Sequence, residues 1–254
     1  MSTVMASGAM LYPDRVEILG IGVDPVTMRE ALNRIEKFIE KRIPRIVITA
    51  DASGIVLAQK DPRWRDILLK ADLVTPDSYG IIWASRKLGS PLAERVAGVD
   101  LVVELCALSE SKGYRLFFLG AAPGIADKAA EKMRKRFPGI HIVGTHHGYF
   151  SEAEELSIVE KIRIARPDVL FVAMGIPRQE KFIVKHLYEM AVPVSIGVGG
   201  SFDVLSGVIK RAPYPVQKMH LEWLWRLMMN PRKWRKVLTL PRFAWSVLTS
   251  RKEH

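Results

Sequence analysis

Tyr114–Phe137, YRLFFLGAAPGIADKAAEKMRKRF, decides how the fold is read. Its opening, Tyr114 to Leu119, is a nearly continuous apolar run of strand length. Gly120-Ala121-Ala122-Pro123-Gly124 then turns the chain, and Ile125 to Phe137 continues with helical spacing. A strand, a Gly-rich turn and a helix make a cradle for an anion, because helix N-terminal amides point at it. The loop has neither the Rossmann glycine triad nor the Walker Lys-Ser/Thr pair.

The same alternation extends in both directions. Upstream, Val16–Val23 (VEILGIGV) reads as a short strand. Asp24-Pro25-Val26-Thr27 starts a helix with Ala31, Leu32, Ile35, Phe38 and Ile39 at helical spacing. Arg45–Thr49 (RIVIT) is a buried strand that runs into a small polar loop ending at Gly54. Leu73-Val74 ends another strand, followed by Thr75-Pro76-Asp77 turn chemistry, Gly80 and a helix from Ile81. Downstream, Ile140–Val143, Asp168–Ala173 and Pro193–Val198 read as strands. A helix from Ser151 to Ala165 has Glu154 at the capping-box spacing. Strands and helices alternating over 16–209 predict an α/β fold, a Rossmann-like and mostly parallel sheet with helices on both faces.

In such a sheet the strand C-termini lie on one edge, where ligands bind. That edge collects Thr49 and Asp51, Asp77, Gly120, Gln179, and Gly199-Gly200. Arg95 follows on a second loop, so one carboxylate and one guanidinium fit a base and an anion clamp. Two plainer roles stand beside these: Asp77 as N-cap of the helix it precedes, and Arg95 paired with Glu94. Asp51 has the same capping alternative. His146-His147 have no third ligand placed nearby, so no metal site is expected.

Charge separates the tail from the body. Lys210 onward holds 11 Lys/Arg against 2 acids, whereas residues 1–209 hold 27 against 25. Four of the six Trp (Trp223, Trp225, Trp234, Trp245) also lie in the tail. Leu221, Leu224, Trp225 and Met228 form a helical stripe amid basic residues, the pattern of a membrane-surface segment. The alternative is a stripe packed on the core with a solvated basic face. Residues 1–15 are expected to be a loose leader, 16–209 the catalytic core and 210–254 a basic, Trp-rich appendage. No run approaches the ~18 apolar residues of a spanning helix, and no secretory signal is expected. The lone Cys106 sits among apolar neighbours and reads as a core thiol.

Several ordered motifs give a sharper expectation: TPDSYGIIWASRKLG (75–89), ERVAGVDL (94–101), GIPRQEKFI (175–183), GVGGSFDVLSG (197–207), KRAP (210–213) and EWLWRL (222–227). Together they resemble the WecG/TagA/CpsF glycosyltransferases over roughly residues 16–246. The resemblance implies inverting transfer of a sugar from a UDP-sugar to a polyprenyl-diphosphate-linked sugar. It places the enzyme in the cytoplasm, peripheral on an anionic inner membrane face. It implies Asp77 as catalytic base, and Thr49, Asp51, Arg95 and Gln179 as substrate contacts. It further implies Arg211, Arg226, Arg232 and Arg235 as the diphosphate- and membrane-binding cations. The leading expectation is N-acetylmannosamine transfer onto undecaprenyl-diphosphate N-acetylglucosamine. UDP-glucose or UDP-N-acetylmannosaminuronate are the alternative donors. The teichoic-acid members carry Asn at the position of Asp51. No Asp-x-Asp occurs in the chain, so metal-independent transfer without a cofactor is expected. A nicotinamide-dependent oxidoreductase, a nucleic-acid-binding protein and a non-catalytic membrane adaptor are the rival readings. No nucleic-acid partner is expected; self-association through the apolar stripe is an open expectation.

Overall fold

The computed structural model describes residues 14–213, 215, 216, 219, 224, 225, 228 and 239–250. The chain opens with a two-stranded antiparallel hairpin, β1 (Val16–Ile18) and β2 (Ile21–Val23). Val16–Val23, expected as one strand, is broken at Leu19 and Gly20, which both take positive φ (51° and 74°). Helix α1 (Met28–Lys41) follows, with Thr27 and Glu30 closing a capping box.

The main sheet then builds as β3 (Arg45–Ala50), α2 (Ala52–Ala58), α3 (Pro62–Lys70), β4 (Leu73–Pro76), α4 (Tyr79–Lys87) and α5 (Gly98–Lys112). It continues with β5 (Arg115–Gly120), α6 (Ile125–Arg136), β6 (His141–His146) and α7 (Glu152–Ala165). The remaining elements are β7 (Val169–Ala173), α8 (Arg178–Met190), β8 (Val194–Gly197), α9 (Ser201–Leu205) and, after the tail, α10 (Thr239–Thr249). The strand order is β4-β3-β8-β7-β5-β6, and every pairing is parallel.

Strand side chains alternate between two apolar layers, as period-2 geometry requires. Val47, Leu116, Phe118, Phe171 and Ile196 face α1, α5, α6 and α9. Ile48, Val74, Phe117, Leu119, Leu170 and Val172 face α2, α3, α4, α7 and α8. Phe118 stacks on Phe202 (4.9 Å between centroids) and meets Phe171 edge-on (5.4 Å). Each such fully buried side chain contributes on the order of 1.5–3 kcal/mol. Cys106 is buried in the first layer, and desolvation pushes its thiol up to about 12.

Polar ties fasten the layers. Buried Asp24 accepts from Arg34 Nη1 (2.7 Å) and from Val74 N (2.8 Å), joining the hairpin to β4. Glu155 on α7 accepts from Lys185 Nζ (2.7 Å) and meets His186 Nε2, both on α8. Helix α10 returns to the body and packs against α2 and α4, burying Phe243 and Val247.

Candidate functional site

The β5 connection carries the chain outward to β6, whereas the β7 connection carries it back to β8. The connections that follow these two paired strands therefore run in opposite directions, which marks the switch point of an open parallel sheet at its C-terminal edge. A cavity of about 630 Å³ occupies this edge. Its walls come from the loops after β3, β4, β5, β6, β7 and β8, with Arg95, Val99 and Leu240 completing them.

Asp77 leaves the last residue of β4 and lines the cavity. Its main-chain N–H donates to Ala50 O (2.9 Å), fixing the loop to β3. Its Oδ1 accepts from Gly98 N at 3.0 Å. The N-cap of the helix it precedes is Ser78, not Asp77. Asp77 thus sits at the N-terminus of the distant α5, whose dipole favours negative charge there. Gly98 also packs closely on β3, since a Cβ would lie 3.3 Å from both Thr49 Cγ2 and Oγ1.

Thr49 is 5% exposed, and its hydroxyl donates to Gly197 O (2.9 Å), tying β3 to β8. Asp51 is the N-cap of α2: Oδ1 accepts from Gly54 N and from Ser53 Oγ, both at 2.7 Å. Here the capping role coexists with a place in the cavity wall. Arg95 does not pair with Glu94, which instead accepts from Met28 N (3.1 Å). Its guanidinium lies over the Tyr79 ring (4.7 Å) and 4.0 Å from Asp100 Oδ2. Asp100 also takes Arg211 through Nη1 (2.6 Å) and Nη2 (2.7 Å). One carboxylate on the first turn of α5 therefore gathers a cavity guanidinium and the start of the tail.

Gln179 is 1% exposed, and its Oε1 accepts from Gly175 N (3.1 Å) and Gly199 N (3.0 Å). It reaches the cavity together with Gly199 and Gly200. Gly120 stands one residue behind the wall, which Ala121 and Ala122 form. Its role is close packing: φ is 135°, and a Cβ would fall 2.5 Å from Ala173 O. Arg226, Arg232, Arg235 and Leu221 lie outside the described residues. Trp225 is described, and its indole N–H donates to Lys210 O (2.9 Å). Among the described residues no group of three or more His, Cys, Asp or Glu is placed to hold a metal.

The wall also holds residues that sequence reasoning passed over. Arg178, over the Phe150 ring at 5.5 Å, adds a second cavity guanidinium. Its position next to Gln179, on a strand-end loop, was the signal available. Tyr149 (70% exposed) and Leu240 stand at the rim. Leu240 had no local signal, because only the return of α10 brings it there.

An α/β enzyme of Rossmann type, with its site across the strand C-termini, is the class that this sheet and cavity define. The chain belongs to the WecG/TagA/CpsF glycosyltransferase family, whose sequence model matches residues 16–254. It is similar to the N-acetylglucosaminyldiphosphoundecaprenol N-acetyl-beta-D-mannosaminyltransferase of Bacillus spizizenii, with 38% identity over 83% of this chain and 81% of the relative. The Bacillus subtilis protein of the same name is 36% identical over 87% and 86%. The Staphylococcus aureus one is 30% identical over 94% of each chain.

Proposed function

We propose that this glycosyltransferase moves N-acetylmannosamine from its UDP-sugar to undecaprenyl-diphosphate-linked N-acetylglucosamine, with inversion and without a metal ion. The names of its relatives support the acceptor and the transferred sugar. The observation that carries the mechanism is Asp77, a cavity carboxylate aimed by the Gly98 amide.

Asp77 takes the proton of the acceptor hydroxyl as that oxygen attacks the anomeric carbon of the donor. The new C–O bond forms as the bond from the anomeric carbon to the β-phosphate oxygen breaks. UDP leaves with that electron pair. Arg95 and Arg178 line the same cavity, and guanidiniums pair bidentately with phosphate. Charge growing on the leaving diphosphate is stabilised by such preplaced cations. With no Asp-x-Asp and two cavity arginines, a metal has no evident task here.

The tail brings the enzyme to its lipid-linked substrate. On α10, Trp245 (69% exposed) and Leu248 (63%) point away from the body, beside exposed Arg242. No described helix is long and apolar enough to cross a membrane. A helix lying on the surface, with Trp at headgroup depth and cations on anionic lipid, accounts for both.

The test is radiolabel transfer from a panel of UDP-sugars to a short-chain lipid-diphosphate N-acetylglucosamine, with and without EDTA. Transfer from UDP-N-acetylmannosamine, unchanged in EDTA, is expected. A strict preference for another donor overturns the sugar assignment; loss in EDTA, restored by one metal, overturns metal independence.

A further inference from the structure

Two glycine loops end β7 and β8 at the cavity, and a single amide group ties both. Gln179 Oε1 accepts from Gly175 N and Gly199 N, and Gln179 Nε2 donates to Glu180 Oε1 at 2.7 Å. Gly175 and Gly199 both take positive φ (80° and 54°) and lie outside the strands and helices. Glu180 is fully buried and stands behind Gln179, outside the cavity wall. Gly197 makes room for the pair: a Cβ there would lie 2.6 Å from Gln179 Nε2 and 2.7 Å from Glu180 Oε1.

The two ends of a glutamine amide have nearly the same shape and opposite hydrogen-bonding character. The loop amides need an acceptor, so the oxygen must face them. At the other end the amide N–H meets Glu180 Oε1, which accepts it. Glu180 therefore fits one amide orientation. The reversed amide would set oxygen against the Glu180 oxygen and N–H against N–H.

We propose that Glu180 is a positioning residue for sugar transfer. Through Gln179 it fixes the Gly175 and Gly199 loops, and with them the cavity surface on which the substrate rests. This inference rests on the glycosyltransfer reading for its kinetic readout. Glu180 exchanges no proton with substrate, because Gln179 lies between it and the cavity.

A reciprocal exchange tests it, read by turnover, by melting temperature and by hydrogen exchange at the Gly175 and Gly199 amides. Gln179→Glu sets two carboxylates together and removes the donor. It should lower kcat by about a hundredfold or more, the effect of loosening a positioned site, and speed exchange at both glycines. Glu180→Gln keeps an acceptor but admits the wrong orientation, and should lower kcat by roughly tenfold. The double variant Q179E/E180Q rebuilds the network with one link reversed. The carboxylate now at position 179 accepts from both loop amides and from the carboxamide now at position 180. This variant should regain slow exchange at both glycines and a melting temperature near the native one, with more turnover than Q179E. Should Q179E fail to fold, a folded double variant with both amides protected carries the same conclusion. A double variant whose glycine amides exchange as fast as those of Q179E overturns the inference. So does an E180Q enzyme as inactive as D77N with both glycine amides still protected, since Glu180 would then be catalytic. Amide exchange needs no sugar donor. Failure of the glycosyltransfer reading therefore shows in the native enzyme, and failure of this inference in the ranking of the variants.

Discussion

Replacing Asp77 by Asn separates chemistry from architecture. The carboxamide oxygen still accepts from Gly98 N, which Asp77 Oδ1 meets at 3.0 Å, so the β4 loop stays anchored to α5. What is lost is a proton acceptor and a charge. A positioned base is worth 10²–10⁴ in rate, or about 2.7–5.5 kcal/mol of barrier. The charge at the α5 N-terminus is worth only about 0.3–1 kcal/mol. For a domain of this size that lowers Tm by no more than about 4 °C. Asp77→Ala removes the acceptor as well and strands the Gly98 N–H, a further penalty of about 1–3 kcal/mol. The two variants should be alike in lost turnover and different in Tm. Initial rates at saturating donor, with thermal melts on the same samples, read both. An Asn variant within about threefold of native kcat would sink the assignment. Asp77 would then be only the anchor of α5.

Two further outcomes are expected. Trp245→Ser combined with Leu248→Ser should abolish pelleting with anionic liposomes while leaving Tm nearly unchanged, because both side chains point outward; undiminished pelleting would place lipid contact elsewhere. Burial raises Glu155, but hydrogen bonds from Lys185 and His186 outweigh it and hold the carboxyl below its ordinary 4.5. The folded pKa is thus depressed, so its stabilisation is present above pH 4.5 and fades as pH falls through the folded value. Native Tm should drop on that acid limb more steeply than that of Glu155→Gln, and parallel curves would contradict the sign.

The strands were legible wherever burial on both faces leaves an unbroken apolar run, as in RIVIT, YRLFFL and DVLFVA. Their order was not, because parallel neighbours are chosen by how crossover helices pack, and no local residue records that. Val16–Val23 shows the opposite hazard. Apart from Glu17 and two glycines it is apolar, so the reversal at Leu19-Gly20 left only Gly20 as its trace. Asp51 was readable as a cap because its partner, Gly54, is three residues on. Asp77 was readable as a strand-end carboxylate, but its partner, Gly98, lies 21 positions away. Gln179 was placed at the site, yet the loops it joins meet only after β7 and β8 pair. Gly120 was read as part of the cradle, whereas the sheet uses it for backbone contact with Ala173.

Helix α10 has two apolar sides with different occupants. Phe243 and Val247 are held by the body, while Trp245 and Leu248 face outward. Docking on the body therefore does not use Trp245 or Leu248. On the proposed reading, the helix acts as a spacer of fixed thickness between bilayer and enzyme. A helix with its side chains is about 10–12 Å across. Leu240 belongs to the same helix and to the cavity rim. With Trp245 at headgroup depth, the mouth would then stand less than one helix diameter above the lipid, at a height set by rigid geometry. An acceptor whose sugar lies beyond its diphosphate would have to rise by that distance to be reached. A longer head group would overshoot, which makes the standoff itself a selector among lipid-linked acceptors.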